Sequence, residues 1–302
     1  MNTRYSRRFL LRLLTSASVV SALSCSSEGT SLPKLQGSSL AKPENASDPK
    51  RRVTRSSKFA VYDSLMYGEK PKIGLTPILV TGRGYWKGQD YSKPDEAACR
   101  QLAREAAEKY SKVVVNIEHW QLDVRRASTE KVQESMNKIL QVIRWMRSER
   151  PQLQLGFYGS PPHRDYWGPI RGNAGVLRDW QRANDALKPI ADAIDFLCPS
   201  LYAFYDDVPG WVKYASANIE EAQRFGKPVY PFLWTRYHVS NRLRKLQYIE
   251  GDYWKTQLET VRDSGAEGVV LWDWFGFDRS KPNAIDPRSD WWQATVKFKQ
   301  SL

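Results

Sequence analysis

Val113-Val114-Val115-Asn116-Ile117-Glu118-His119-Trp120 is a β-branched apolar run that turns polar at its end. The run predicts a strand over 113–118. Successive strand side chains point to opposite faces, so Asn116 and Glu118 share the face of Val114 while Ile117 opposes it. A carboxylate that ends an apolar strand in a wet, aromatic-lined mouth has its acid form favoured, which suits a general acid. Glu118 can equally pair with a neighbouring Arg or Lys at the rim, and the strand alone leaves both readings open.

Outward from this strand the chain alternates. Further strands are predicted at 77–81, 154–158, 196–202, 229–234 and 268–272, with helices at 94–110, 128–148, 176–187, 210–225, 251–264 and 291–299. In the first helix Ala98, Leu102, Ala106 and Tyr110 recur every four residues. Strands alternating with helices imply βαβ units and a parallel sheet. The expected class is α/β, a TIM-like (β/α) barrel with seven or eight strands and some distortion. A doubly wound open sheet is the rival. Gly82-Arg83-Gly84-Tyr85-Trp86 lacks the GxGxxG spacing of a dinucleotide loop, which disfavours it.

Composition narrows the function classes. The 302 residues carry a net charge of +13, with 41% hydrophobic and 26% charged residues, which excludes a disordered chain and a polytopic membrane protein. Three cysteines exclude a disulfide scaffold and a four-cysteine zinc site, and three histidines leave little room for a histidine-rich metal centre. No cofactor and no metal are expected. All 12 Trp lie at or after Trp86, so the first 85 residues are compositionally distinct. Residues 1–24 carry +4 and residues 25–58 another +4, leaving +5 for the remainder. The excess sits in a leader and a tether, so no nucleic-acid partner is expected; the remainder suits a neutral or anionic substrate.

Residues 1–24 read as a signal peptide, with a basic start and an apolar run at 13–23 too short to span a membrane. Ser6-Arg7-Arg8-Phe9-Leu10-Leu11 resembles the twin-arginine export motif, and Ala22-Leu23-Ser24-Cys25 resembles a lipobox that would lipidate Cys25. Plain cleavage near Cys25 without a lipid is the alternative. Residues 25–57, rich in Ser, Lys, Arg and Pro, read as a flexible tether, and 58–302 as the barrel. The expected protein is exported, periplasmic or at the cell surface, touching the membrane only through a lipid anchor.

Barrel active sites gather at the C-terminal strand ends. Those ends supply Tyr85 and Trp86, then Asn116, Glu118 and Trp120, then Tyr158, then Tyr202, Tyr205 and Asp206, then Trp234 and Arg236, then Trp272, Asp273 and Trp274. Aromatic walls with sparse carboxylates suit a glycan, because pyranose rings present apolar faces to Trp and Tyr while carboxylates handle the glycosidic oxygen. Arg236 fits either a uronate or the neutralisation of a barrel acid. His119 points away from Glu118 and reads as packing, whereas His163 and His238 lie in loops where substrate contact is open. Cys99 and Cys198 read as buried thiols, and Trp291 and Trp292 as packing.

Five segments in order resemble hyaluronidases and related barrel glycosidases. Val114-Val115-Asn116-Ile117-Glu118-His119-Trp120 is similar to their Asp-x-Glu-x-Trp strand end, and Leu155-Gly156-Phe157-Tyr158 to their Trp-Gly-Phe-Tyr. Cys198-Pro199-Ser200-Leu201-Tyr202 is similar to Tyr-Pro-Ser-x-Tyr, and Pro228-Val229-Tyr230-Pro231 to the Pro-Val-Tyr strand. Residues 265–272 resemble Gly-Ala-x-Gly-Val-Val-Leu-Trp. The resemblance covers about 110–275. It implies a distorted barrel that cleaves a β-linked, N-acetylhexosamine-containing polymer, with Glu118 as proton donor and Tyr158, Tyr202 and Trp272 around the sugar being cleaved. It also implies that the substrate's own N-acetyl oxygen attacks the anomeric carbon, an exception to the two-carboxylate scheme. Asn116 stands where that family has Asp, and the Asn-x-Glu pair resembles endo-β-N-acetylglucosaminidases, in which an Asn orients the acetamide. Asp273 stands where the family has Gly. Two alternatives remain. One is a two-carboxylate glycosidase pairing Glu118 with Asp273 or Asp206 (or Asp207); the other is a barrel that binds glycan without cutting it.

Overall fold

Eight parallel-paired strands alternate with helices over residues 59–302, the part of the chain that the computed structural model describes. The export signal, the Cys25 lipid site and the tether expected over 1–57 lie outside the described residues. The strands are β1 (Ala60–Met66), β2 (Thr76–Pro77), β3 (Leu79–Thr81), β4 (Lys112–Val115), β5 (Gln154–Tyr158), β6 (Phe196–Cys198), β7 (Phe232–Trp234) and β8 (Gly268–Trp274). The helices are α1 (Glu96–Ala107), α2 (Thr129–Glu149), α3 (Trp167–Arg171), α4 (Ala174–Asp185), α5 (Lys188–Ala193), α6 (Val208–Gln223), α7 (Gly251–Asp263) and α8 (Asp290–Gln300). Parallel neighbours need a crossover between them, and the helices supply it.

The strands form two four-stranded parallel sheets, β2-β1-β8-β7 and β3-β4-β5-β6. They meet at two seams, and both seams carry proline. At the first, β2 and β3 are one extended segment that changes partner at Ile78, whose N–H reaches Asp63 O at 3.4 Å. At the second, β6 and β7 touch through the bridges Leu197↔Val229 and Ser200↔Phe232. Here Phe232 N donates to Pro199 O at 2.8 Å and Tyr230 N to Leu197 O at 2.8 Å. Pro77, Pro199 and Pro231 have no N–H to give a ladder, so pairing is interrupted where they fall. The result is a ring of seven strand positions, the distorted (β/α) barrel expected from the sequence.

β1 is the element that the sequence reading missed. Asp63 and Ser64 interrupt its apolar run, yet it pairs with β8 from Ala60↔Gly268 to Met66↔Trp274. The strands expected at 196–202 and 229–234 are shortened to three residues each by the same prolines. Helix starts follow capping chemistry. Asp95 accepts from Ala98 N, Ser128 from Lys131 N and Asp207 from Gly210 N, satisfying first-turn donors.

Alternation along the strands sorts the core. Val113, Val115 and Ile117 pack outward with Leu155, Phe157 and the helical residues Met136, Ile139 and Ile143. Val114 belongs instead with Tyr62, Phe196, Cys198, Phe232 and Val270 in the larger cluster. Gly156 shares the inward phase of Tyr158, and the Phe196 ring occupies the space a side chain there would need. A methyl group at 156 would overlap that ring. Overpacking of this kind costs about 1–3 kcal/mol. Gly156→Ala is therefore expected to lower the melting temperature by several degrees, at roughly 2–4 °C per kcal/mol for a domain this size, as read by thermal circular dichroism.

Candidate active site

The ladder of β4 ends at Val115, but Asn116 N still donates to Thr81 O at 2.9 Å, so the extended phase continues one step further. Asn116 is half-buried and Glu118 is exposed by area. Even so, burial among protein atoms is the largest influence on the Glu118 carboxyl and raises its pKa; the Asn116 amide and the Arg164 charge pull the other way. Protein atoms therefore crowd a carboxyl that water still reaches. The Asn116 amide contacts the carboxyl, while the Asn116 Oδ1 is buried with no hydrogen-bond partner. An unpaired buried carbonyl costs about 1–3 kcal/mol.

Tyr158 and Tyr202 stand within electrostatic reach of Glu118. Burial raises both phenols, and the Glu118 charge adds to it. Tyr158 donates to Ser200 Oγ at 3.0 Å, and its ring lies 6.4 Å from that of Tyr202. Tyr202 in turn lies 6.1 Å from Trp272 with near-parallel planes, and 5.4 Å from Trp234. Trp272, Trp274 and Phe277 are half-buried and close the wall, with Phe277 5.2 Å from both Trp234 and Trp274. His238 joins this wall at 4.6 Å from Phe204. Burial pushes its imidazole down to about 3, so it is neutral at pH 7. Ser240 N donates to His238 Nδ1 at 3.1 Å, which leaves the ring proton on Nε2.

Arg164 is the residue that sequence reasoning did not name. It lies in the loop after β5, exposed, with its guanidinium 4.1 Å from the Phe204 ring centre. Its charge acts on Glu118, Tyr158, Tyr202 and His238. Nothing in the spacing around Pro161-Pro162-His163-Arg164 signals this; the loop's path places it.

Other expected site residues are placed elsewhere. Tyr85 is fully buried in the outer layer and donates to Thr81 O at 2.7 Å, so it lines no mouth. Trp120 also packs in that layer, with its indole N–H on Tyr91 O at 3.1 Å; strand alternation no longer governs it once the ladder has ended. Trp86 is half-buried between Tyr91 at 4.9 Å and His119 at 5.3 Å. His163 is buried beneath its loop, where its N–H donates to Asn184 Oδ1 at 2.8 Å. Asp206 is exposed, 3.9 Å from Arg244, and Asp207 is spent as a helix cap. Cys99 and Cys198 are buried free thiols, and burial pushes Cys99 up to about 12, far from a reactive thiolate.

Asp273 departs most from expectation. It follows Trp272 on β8, so alternation turns it to the opposite face. It is fully buried. One oxygen accepts from Trp234 Nε1 at 3.0 Å and Arg236 Nε at 3.0 Å; the other accepts from Tyr67 OH at 2.5 Å. Arg236, itself buried, also donates to Tyr248 OH at 2.5 Å and lies over the Tyr248 ring at 3.9 Å. Of the two roles open to Arg236, the structure gives it the neutralisation of a barrel acid. Among the described residues, no group of three or more His, Cys, Asp or Glu is placed to hold a metal.

Neither a protein-family model nor any curated protein matches the chain by sequence. Solved structures do match by shape. Bee venom hyaluronidase in a monoclinic crystal aligns with a TM-score of 0.56 at 15% identity, over 81% of this chain and 97% of that chain. Bee venom hyaluronidase in complex with a hyaluronic acid tetramer aligns with a TM-score of 0.54 at 15% identity, over 81% and 96%. At this identity the likeness is one of fold. This chain shares the barrel of hyaluronidase, as its five sequence segments suggest.

Two measurements follow from the two acids. Removing one partner of a buried ion pair costs about 3–5 kcal/mol, because the other charge is left uncompensated; Asp273→Ala should lower the denaturation midpoint accordingly. Glu118 behaves oppositely. Its folded pKa lies above the ordinary 4.5, so the folded protein holds this proton more tightly than the unfolded chain. Stability is thus lost as pH rises through the window between the two values. Glu118→Gln should be more stable than the parent at pH 7, and the difference should vanish below about pH 4.

Proposed function

We propose that this protein is a glycoside hydrolase acting on a β-linked glycan that contains N-acetylhexosamine, by a retaining, substrate-assisted mechanism. The observation that carries the reading is the pairing of a desolvated Glu118 carboxyl with an Asn116 whose Oδ1 is buried and unpartnered. A raised carboxyl keeps its proton towards neutral pH and can donate it to the leaving oxygen, then recover it from water as a base. The Asn116 Oδ1 is an acceptor without a donor, and a rotation of the amide that brings it to the surface would let it take an acetamide N–H. With the N–H so held, the acetamide oxygen is directed at the anomeric carbon. Bond formation there accompanies cleavage of the glycosidic bond, and the leaving oxygen takes the Glu118 proton. Water then opens the cyclic intermediate and returns a proton to Glu118.

The two-carboxylate alternative is less favoured, because Asp273 is buried and engaged by Tyr67, Trp234 and Arg236, and Asp207 caps a helix. The barrel shape shared with hyaluronidase supports a glycan substrate, as do the rings of Tyr158, Tyr202 and Trp272 near Glu118. Export to the periplasm or cell surface, with Cys25 lipidated, remains part of the proposal.

Reducing-end release from hyaluronan, chondroitin, chitin oligomers and N-glycans tests it. Glu118→Gln should lower turnover by about 10²–10⁴-fold or more, and Asn116→Ala should lower it while sparing affinity for sugars that lack the acetamide. The alkaline limb of kcat/KM should lie above the ordinary glutamate range, since activity needs the protonated acid. Full activity in Glu118→Gln sinks the reading.

A further inference from the structure

The loops after β5 and β6 carry a second aromatic surface. Trp167, at the start of α3, and Tyr205, just before α6, are each 39% exposed. These two are built rather than loose. Trp167 Nε1 donates to Tyr205 OH at 3.1 Å, and the rings stand 4.7 Å apart at 53°, forming a wedge. Buried Tyr166 backs it, 4.5 Å from Tyr205 and 4.8 Å from Tyr214. The Arg171 guanidinium lies 5.1 Å from the Trp167 ring, so a donor borders the apolar faces.

The wedge stands at the same barrel end as Glu118, because the loops after β5 and β6 leave the C-terminal ends of strands that run parallel beside β4. Tyr214 donates to Ser200 O at 2.5 Å, and the Ser200 hydroxyl accepts from Tyr158. Arg164, whose charge acts on Glu118, lies two residues before Tyr166. Size limits the occupant. At 39% of a ring residue's roughly 150–250 Å², the pair offers under about 200 Å². A stable protein interface needs about 800 Å² per partner. The area fits one or two pyranose rings, whose C–H faces stack on aromatics while their hydroxyls meet polar edges.

We propose that Trp167 and Tyr205 form a distal subsite that stacks a sugar of the same β-linked glycan, beyond the residue held at Glu118. The proposal rests on the glycosidase reading and adds a longer grip to it. The test uses the full chain carrying Glu118→Gln, titrated calorimetrically with tetrasaccharides and octasaccharides of hyaluronan, chondroitin and chitin. At least one octasaccharide should bind more tightly than its tetrasaccharide. Adding Trp167→Ala and Tyr205→Ala should weaken the octasaccharide about tenfold and leave the tetrasaccharide unchanged, with the near-UV spectrum of the fold preserved. Trp167→Phe, which keeps a ring, should retain most of the affinity. Unchanged octasaccharide binding in the Ala variants overturns the subsite, as does equal weakening of both lengths. Where no oligosaccharide binds, turnover by the parent separates the outcomes. Cleavage without any length preference overturns only the subsite; neither binding nor cleavage overturns the glycosidase reading with it.

Discussion

The burial of Val113, Val115 and Ile117 against the outer helices aims the whole site. Each such side chain contributes about 1.5–3 kcal/mol by leaving water. A slip of one residue would expose these three and drive Asn116 and Glu118 into the helix layer, which forbids the alternative register. Apolar packing thus holds two polar groups towards the barrel axis, where their own preference for water would not keep them. Tyr158 and Trp272 gain their positions in the same way, from the outward residues Phe157 and Leu271 beside them.

Two carboxylates of the barrel meet different surroundings. Glu118 is desolvated without an adjacent cation in contact, and its acid form is favoured. Asp273 is buried more deeply but meets Arg236 and two further donors. The pair so formed also fixes the Trp234 indole, which stands 4.9 Å from Trp272. Burial favours the acid form of Glu118, whereas Asp273 is tied by Arg236, Trp234 and Tyr67 and holds the wall still.

Much of this was legible in the sequence. The 3.6- and 2-residue periods marked most strands and helices, and alternation placed Asn116 and Glu118 on the face of Val114. The same alternation, carried to Trp272 and Asp273, would have turned Asp273 away from the mouth. Strand ends were harder, because Pro199 and Pro231 stop ladders inside runs that still look apolar. Tyr85 and Trp120 were misplaced because they follow the last ladder pair, where period no longer dictates direction. Arg164 carried no signal at all, since a loop's path depends on contacts distant in sequence. β1 was hidden by Asp63 and Ser64, although its partner β8 is plain.

Phe196 crosses under Gly156 and fills the barrel beneath Tyr158. That ring makes a floor. The barrel is filled at this level by a side chain rather than left as a pore. On the glycosidase reading, a sugar chain would lie across the mouth above this ring rather than pass through the barrel.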